Sequence, residues 1–187
     1  MRRFAYIAAA GLAAILSAGL FQRSVGASQA SLEYEVKAAF LYNFAKFVEW
    51  PDTAFDAADA PIVFCVMGNN PFDGRLERVV SDRTANGRRI EVRSVTSSGA
   101  SSGCHLAFFD ESQQVDVARI VQIAAGRGPG APVLTVGESE HFAEVGGMIR
   151  LLVEEGRVRF DINAAIAERA GLKLSSQLLK LARRVEK

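Results

Sequence analysis

The sequence predicts an α/β fold: a single domain on a mostly parallel sheet, with helices on both faces and an antiparallel C-terminal hairpin. Three observations carry this prediction. Short, wholly apolar runs such as Ile62–Met67 read as strands buried on both sides. Segments with helical spacing alternate with those runs, which is the pattern of a covered parallel sheet. Beyond residue 148 the apolar residues begin to alternate instead, on either side of Glu154-Glu155-Gly156, which is a hairpin signal. No internal repeat and no domain boundary interrupts the pattern.

A leader precedes the domain. Arg2 and Arg3 are followed by an uncharged stretch over residues 4–21, rich in Ala, Gly, Leu and Ile. Small residues then come at Val25-Gly26-Ala27 and Ser28-Gln29-Ala30. This is the order of a secretory signal peptide, read here as residues 1–27, with residue 30 as the alternative exit. The apolar stretch sits at the short limit for crossing a hydrocarbon core of about 30 Å, and Ala and Gly add little to hold it there. No cysteine near the exit offers a lipid attachment point. The chain of 187 residues carries 22 Lys and Arg against 21 Asp and Glu, a net charge of +1. Losing Arg2, Arg3 and Arg23 shifts the mature chain, about 157–160 residues, to about −2. That length suffices for one core, and that charge gives no reason to expect nucleic acid. An exported chain works where disulfides persist, away from ATP and nicotinamide cofactors.

Each element has its own justification. Residues 32–49 contain neither Gly nor Pro and stop at Trp50-Pro51, where proline forbids continuation. On a helical wheel Leu32, Val36, Phe40 and Phe47 share one face, with Asn43 among them; Tyr34 and Leu41 lie nearly opposite, and Tyr42 sits apart. The helix is apolar on more than one side. Either it is sandwiched within the core, or one face meets the core and another meets a partner. In the second case Tyr34, Leu41 and Tyr42, with Phe44 and Trp50 from the aromatic helix end, form the contact surface. Ile62–Met67 is a strand, Gly68-Asn69-Asn70-Pro71 a turn, and residues 72–80 a short helix. Arg88–Val95 alternates as a strand does. Residues 96–103 form a loop with nothing to bury. Residues 104–109 and 132–136 are buried strands flanking a helix over 114–125 that ends at Gly126-Arg127-Gly128-Pro129-Gly130. Residues 148–153 and 157–162 form the hairpin, with Arg157, Arg159 and Asp161 on a wet face. Two helices close the chain, one capped by Asn163 and stopped by Gly171, one starting at Ser175 and running to residue 184.

Little in the sequence carries catalytic chemistry, and the expectation is a protein that is not an enzyme and needs no cofactor. Cys104 and His105 are neighbours on a strand and so point to opposite faces. The other histidine, His141, lies in a surface segment, and no Gly-x-Ser-x-Gly elbow occurs. Glu138, Glu140 and Glu144 form a loose acidic run, read as a solvated face and not as a metal site. Arg88-Arg89 and Arg183-Arg184 are read as solvated cations. Two loops at strand ends, Gly68, Asn69 and Asn70 in one, Gly137 and Ser139 in the other, mark the crevice where open α/β sheets hold small ligands. With exactly two cysteines in an exported chain, a bridge between Cys65 and Cys104 is the default.

Four blocks together resemble a known family. They are Lys37-Ala38-Ala39-Phe40-Leu41-Tyr42-Asn43-Phe44-Ala45-Lys46-Phe47-Val48-Glu49-Trp50-Pro51, Cys104-His105-Leu106, Val145-Gly146-Gly147-Met148-Ile149, and Phe160-Asp161-Ile162-Asn163 running on to Ala170-Gly171-Leu172-Lys173-Leu174-Ser175-Ser176-Gln177-Leu178-Leu179. In this order they resemble the YfiR family of small bacterial periplasmic proteins. The resemblance implies an α/β fold, homodimers, and repression of an inner-membrane diguanylate cyclase through its periplasmic part, which lowers cyclic-di-GMP. It also implies an outer-membrane lipoprotein that can sequester the repressor. Cys65 and Cys104 match the family pair that joins two strands; the second pair, near Gly146-Gly147, is missing here. The alternative reading is a periplasmic sensor or accessory subunit for another membrane receptor, such as a histidine kinase, with a small-molecule ligand.

Overall fold

A computed structural model describes residues 13–96, 103–112, 122–124 and 131–187, with side chains in the first helix from Gln29 onward. Helix α1 (Ala13–Phe47) leads into a two-residue strand, β1 (Val48–Glu49), and a 3₁₀ turn at Asp52–Ala54. There follow β2 (Ile62–Met67), α2 (Arg75–Val80), β3 (Thr84–Ala85), β4 (Arg88–Val95) and β5 (Leu106–Phe109). The chain continues with β6 (Leu134–Gly137), β7 (Ile149–Glu154), β8 (Arg157–Asn163), α3 (Ala164–Ala170), β9 (Lys173–Leu174), α4 (Ser176–Leu181) and β10 (Arg184–Glu186). Eight strands form one sheet in the order β10-β8-β7-β6-β5-β2-β4-β3. Strands β4, β2, β5, β6 and β7 run parallel, and β7–β8 is the antiparallel hairpin. The expected α/β class, mostly parallel sheet and hairpin are all present. Most of the expected helix over 114–125 lies outside the described residues, which retain only its helical end at 122–124.

Alternation along β2 divides the core into two layers. Ile62, Phe64 and Val66 face α1 and α2, joined by Leu106, Phe108, Val136, Leu151 and Phe160. Val63, Cys65 and Met67 face the other way, with Ala107, Phe109, Val133 and Phe142. All six β2 side chains are buried, as a strand covered on both faces requires. The second layer holds the disulfide: Cys65 bonds Cys104, which stands two residues ahead of β5, with Cα atoms 5.8 Å apart.

Three features depart from the sequence expectations. Helix α1 ends at Phe47, and Val48–Glu49 pairs antiparallel with β9, so helix end and chain end are stitched into a second small sheet. The last helix stops at Leu181, and β10 adds itself parallel to β8. Asp161 is not on a wet face: it is buried, with Arg183 Nε 2.8 Å from Oδ1 and Nη2 2.6 Å from Oδ2. The expected caps do form. Asn163 Oδ1 accepts from the Ile166 N–H and Ser175 Oγ from the Leu178 N–H, while Gly171 takes the left-handed conformation that ends α3.

The bridge closes a span of 39 residues, which by chain entropy contributes about 4 kcal/mol. Cys104→Ser is expected to lower the unfolding free energy by roughly that amount in denaturant titration. Two reactive thiols in the native, unreduced protein would contradict the bridge.

Candidate functional site

Helix α1 crosses one face of the sheet and decides which of its side chains remain outside. The inward stripe is Tyr34, Lys37, Ala38, Leu41, Phe44, Ala45 and Val48, the spacing of a single helical face. Leu41 and Phe44 are fully buried and Trp50 nearly so, so these three face the core of this chain rather than a partner. Phe44 meets Phe40 and Phe160 with ring centroids 6.0 and 5.2 Å away. Tyr42 is half-buried, its hydroxyl donating to the Thr84 carbonyl at 3.3 Å. Of the stripe expected to share one face, Leu32 and Val36 stand outward, 61 % and 45 % exposed, while Phe40 and Phe47 are partly buried and pack against the core. The wheel misled because the true stripe carries a lysine and two alanines, which weigh little on an apolar scale. The packing partners that settle the matter lie more than 20 residues away.

Lys37 is the unexpected member of that stripe, and it defines a buried polar cluster. Its ammonium, 6 % exposed, pairs with Glu33 and lies 2.5 Å from Glu138 Oε1, itself 6 % exposed. Tyr34 donates its hydroxyl to Glu138 Oε2 at 3.1 Å, and the Glu111 N–H donates to the same oxygen at 3.2 Å. The ammonium also stands 4.5 Å above the Tyr34 ring. Burial pushes the Glu138 carboxyl above its ordinary range despite the opposing pull of Lys37, and raises the Tyr34 hydroxyl as well. Glu138 is therefore no member of a solvated acidic run.

This cluster sits at the carboxyl ends of β5 and β6, where ligands enter open α/β sheets. The chain's order reverses about β2, so its switch point lies between β2 and β5. The expected crevice residues flank that point and make internal contacts. Gly68 has φ 80° and donates its N–H to the Val95 carbonyl; Asn69 is exposed. Asn70 accepts from the Phe72 N–H and donates to Ser94 Oγ. Gly137 and Ser139 end β6 on the far side of β5; the Ser139 carbonyl accepts from the Phe142 N–H, and the Phe142 ring fills the space above Gly137. A Cβ on Gly137 would lie 2.4 Å from that ring, and one on Gly147 2.2 Å. Among the described residues, the Phe142 ring thus occupies the space beside Gly137 and Gly147.

The remaining candidates are structural. Cys104 is committed to the disulfide. His105 is buried, its Nδ1 accepting from the Val63 N–H at 3.0 Å and its Nε2 3.1 Å from the Ala54 carbonyl. Its ring stacks on Phe55 at 4.6 Å, and the Arg88 guanidinium covers the other side of Phe55 at 3.7 Å. Arg88 also donates to the Ala57 and Ala60 carbonyls, so it is no free surface cation. Nor is Arg183, which joins Glu154 to Asp161. His141 is exposed and pairs with Glu144. Among the described residues no group of three metal-binding side chains converges.

Three outcomes test the cluster and the Phe142 packing. Lys37→Met strands a buried carboxylate and is expected to cost about 3–5 kcal/mol, most of it regained in Lys37→Met with Glu138→Leu. Glu138 holds a proton in the folded chain at pH values where the unfolded chain has lost it. Its contribution is therefore present at acid pH and falls as pH rises through the folded value, and Glu138→Gln removes that limb of a stability-against-pH curve. Gly147→Ala drives a methyl into Phe142 and should cost about 1–3 kcal/mol, read as a lowered denaturation midpoint.

Solved structures offer only distant likeness. An ABC domain from Streptococcus pneumonia, in complex with L-Trp, aligns with a TM-score of 0.45 at 12 % identity, covering 66 % of this chain and 55 % of that one. A conserved domain protein from Vibrio cholerae aligns with a TM-score of 0.46 at 12 % identity, over 66 % and 54 %. The chain spans about half the length of these structures. The family comparison is far more extensive: the YfiR/HmsC-like model matches residues 34–183, from the first inward side chain of α1 to the arginine that holds Asp161. The disulfide fits the oxidising compartment in which that family works. The chain belongs to the YfiR/HmsC-like family of periplasmic regulators of diguanylate cyclase signalling.

Proposed function

We propose that this chain is an exported repressor that binds the periplasmic part of an inner-membrane diguanylate cyclase and so lowers cyclic-di-GMP. The observation that carries the reading is the family match over residues 34–183, which takes in nearly the whole folded domain. The leader-like order of the first 30 residues supports export, and the Cys65–Cys104 bridge supports residence in an oxidising compartment. Side chains of this chain set at the strand ends, Phe142 beside Gly137 and Lys37 beside Glu138, favour action through a surface rather than through turnover of a small molecule. In the same reading the repressor forms homodimers and is relieved when an outer-membrane lipoprotein sequesters it. Both of its cysteines already stand in one bridge, so its control does not rest on a second.

Deleting the gene is expected to raise cellular cyclic-di-GMP several-fold and increase surface attachment. Complementation should need the leader, and the exported protein should begin at Ser28 or Ser31 by intact mass. An unchanged cyclic-di-GMP level in the deletion strain would overturn the repressor assignment.

A further inference from the structure

Four large apolar side chains stand out from the surface among the described residues: Leu32, Val36, Val153 and Leu181. Three of them converge. Leu32 and Val36, one helical turn apart on α1, face Val153 and Val158 of the β7–β8 hairpin across an open groove of about 420 Å³. Gly156 closes the groove at the hairpin turn, so that no side chain rises there. Exposed apolar side chains gathered in one concave place are the signature of an interaction site.

The charges at the groove decide what it fits. Glu33, on the helix wall, is already paired with Lys37. Arg157, on the hairpin wall, is exposed and stands in none of the ion pairs among the described residues. The hairpin wall of the groove is therefore positive, beside an apolar floor. The apolar surface on offer falls well below the roughly 800 Å² that each partner contributes to a standard interface between folded proteins. The groove suits one helical segment carrying apolar side chains at i and i+4 and a carboxylate beside them. We infer that this groove is where the repressor holds its membrane partner, through an acidic amphipathic helix in the cyclase's periplasmic part. The inference rests on the repressor reading and gives that reading a surface.

The test uses the mature protein and the cognate full-length cyclase in nanodiscs. Val36→Asp and Val153→Asp should each weaken binding at least tenfold and lift repression of cyclase activity. Arg157→Glu should weaken it several-fold and reduce its salt dependence. Leu181→Asp, at an equally exposed apolar side chain outside the groove, should bind as the unaltered protein does. Each variant is checked for an intact disulfide and an unchanged melting temperature, which half-exposed positions allow. Tight binding by folded Val36→Asp and Val153→Asp would overturn the groove. So would variants that keep the cyclase but lose self-association in light scattering, since the groove would then serve a second copy. Failure of the unaltered protein to bind the cyclase would overturn the repressor reading itself.

Discussion

A parallel sheet must be covered on both faces, and here a single helix does most of that work on one of them. Because α1 has one inward stripe for a sheet several strands wide, every position on it is committed. Phe40 and Phe44 meet Phe160 over the hairpin side, while Tyr34 meets Phe72 at 5.5 Å and through it Phe108. The helix is also fastened along its length by polar contacts. Lys37 reaches Glu138 beyond the end of β6, and Asn86 donates to the Ala45 and Val48 carbonyls, which the helix end leaves without internal partners. Buried apolar surface sets the depth of the helix; these polar contacts set its register, because only one position along the axis satisfies both.

This explains what could be read in the sequence and what could not. Strands whose chemistry is local were legible to the residue: Ile62–Met67 is apolar throughout, and Arg88–Val95 alternates. Caps were legible for the same reason, since Asn163 and Ser175 bond three residues ahead. Elements that exist only through distant pairing were not. Val48–Glu49 becomes a strand because Lys173–Leu174 lies beside it, and Arg184–Glu186 because Arg183 is drawn to Asp161. The orientation of α1 belongs to the same class, as does the burial of Glu138, a residue that looks solvated until Lys37 is placed against it. The resemblance supplied the family; it could not say which side of α1 is wet.

At the strand ends, where open α/β sheets hold ligands, the described residues of this chain set their own side chains. Tyr34, Lys37 and Glu138 cover the ends of β5 and β6, and Phe142 lies over Gly137 and Gly147. Among the described residues an open groove lies at the side, between the helix and the hairpin. The arrangement is that of a protein recognised by its outer contour, with a scaffold stiff enough to keep that contour fixed.

The order of strands has a consequence for how the molecule is completed. Strand β10 comprises Arg184–Glu186, one residue from the chain's end, yet it lies at the margin of the sheet against β8. Before Arg184–Glu186 docks, β8 presents a row of unpaired amides and carbonyls along that margin. The clamp of Arg183 on Asp161 and Glu154 then acts as a clasp, drawing the tail across the open margin. Without Arg184–Glu186 in place, β8 would carry an adhesive border on an otherwise finished sheet, so this short strand guards that margin against pairing with another chain.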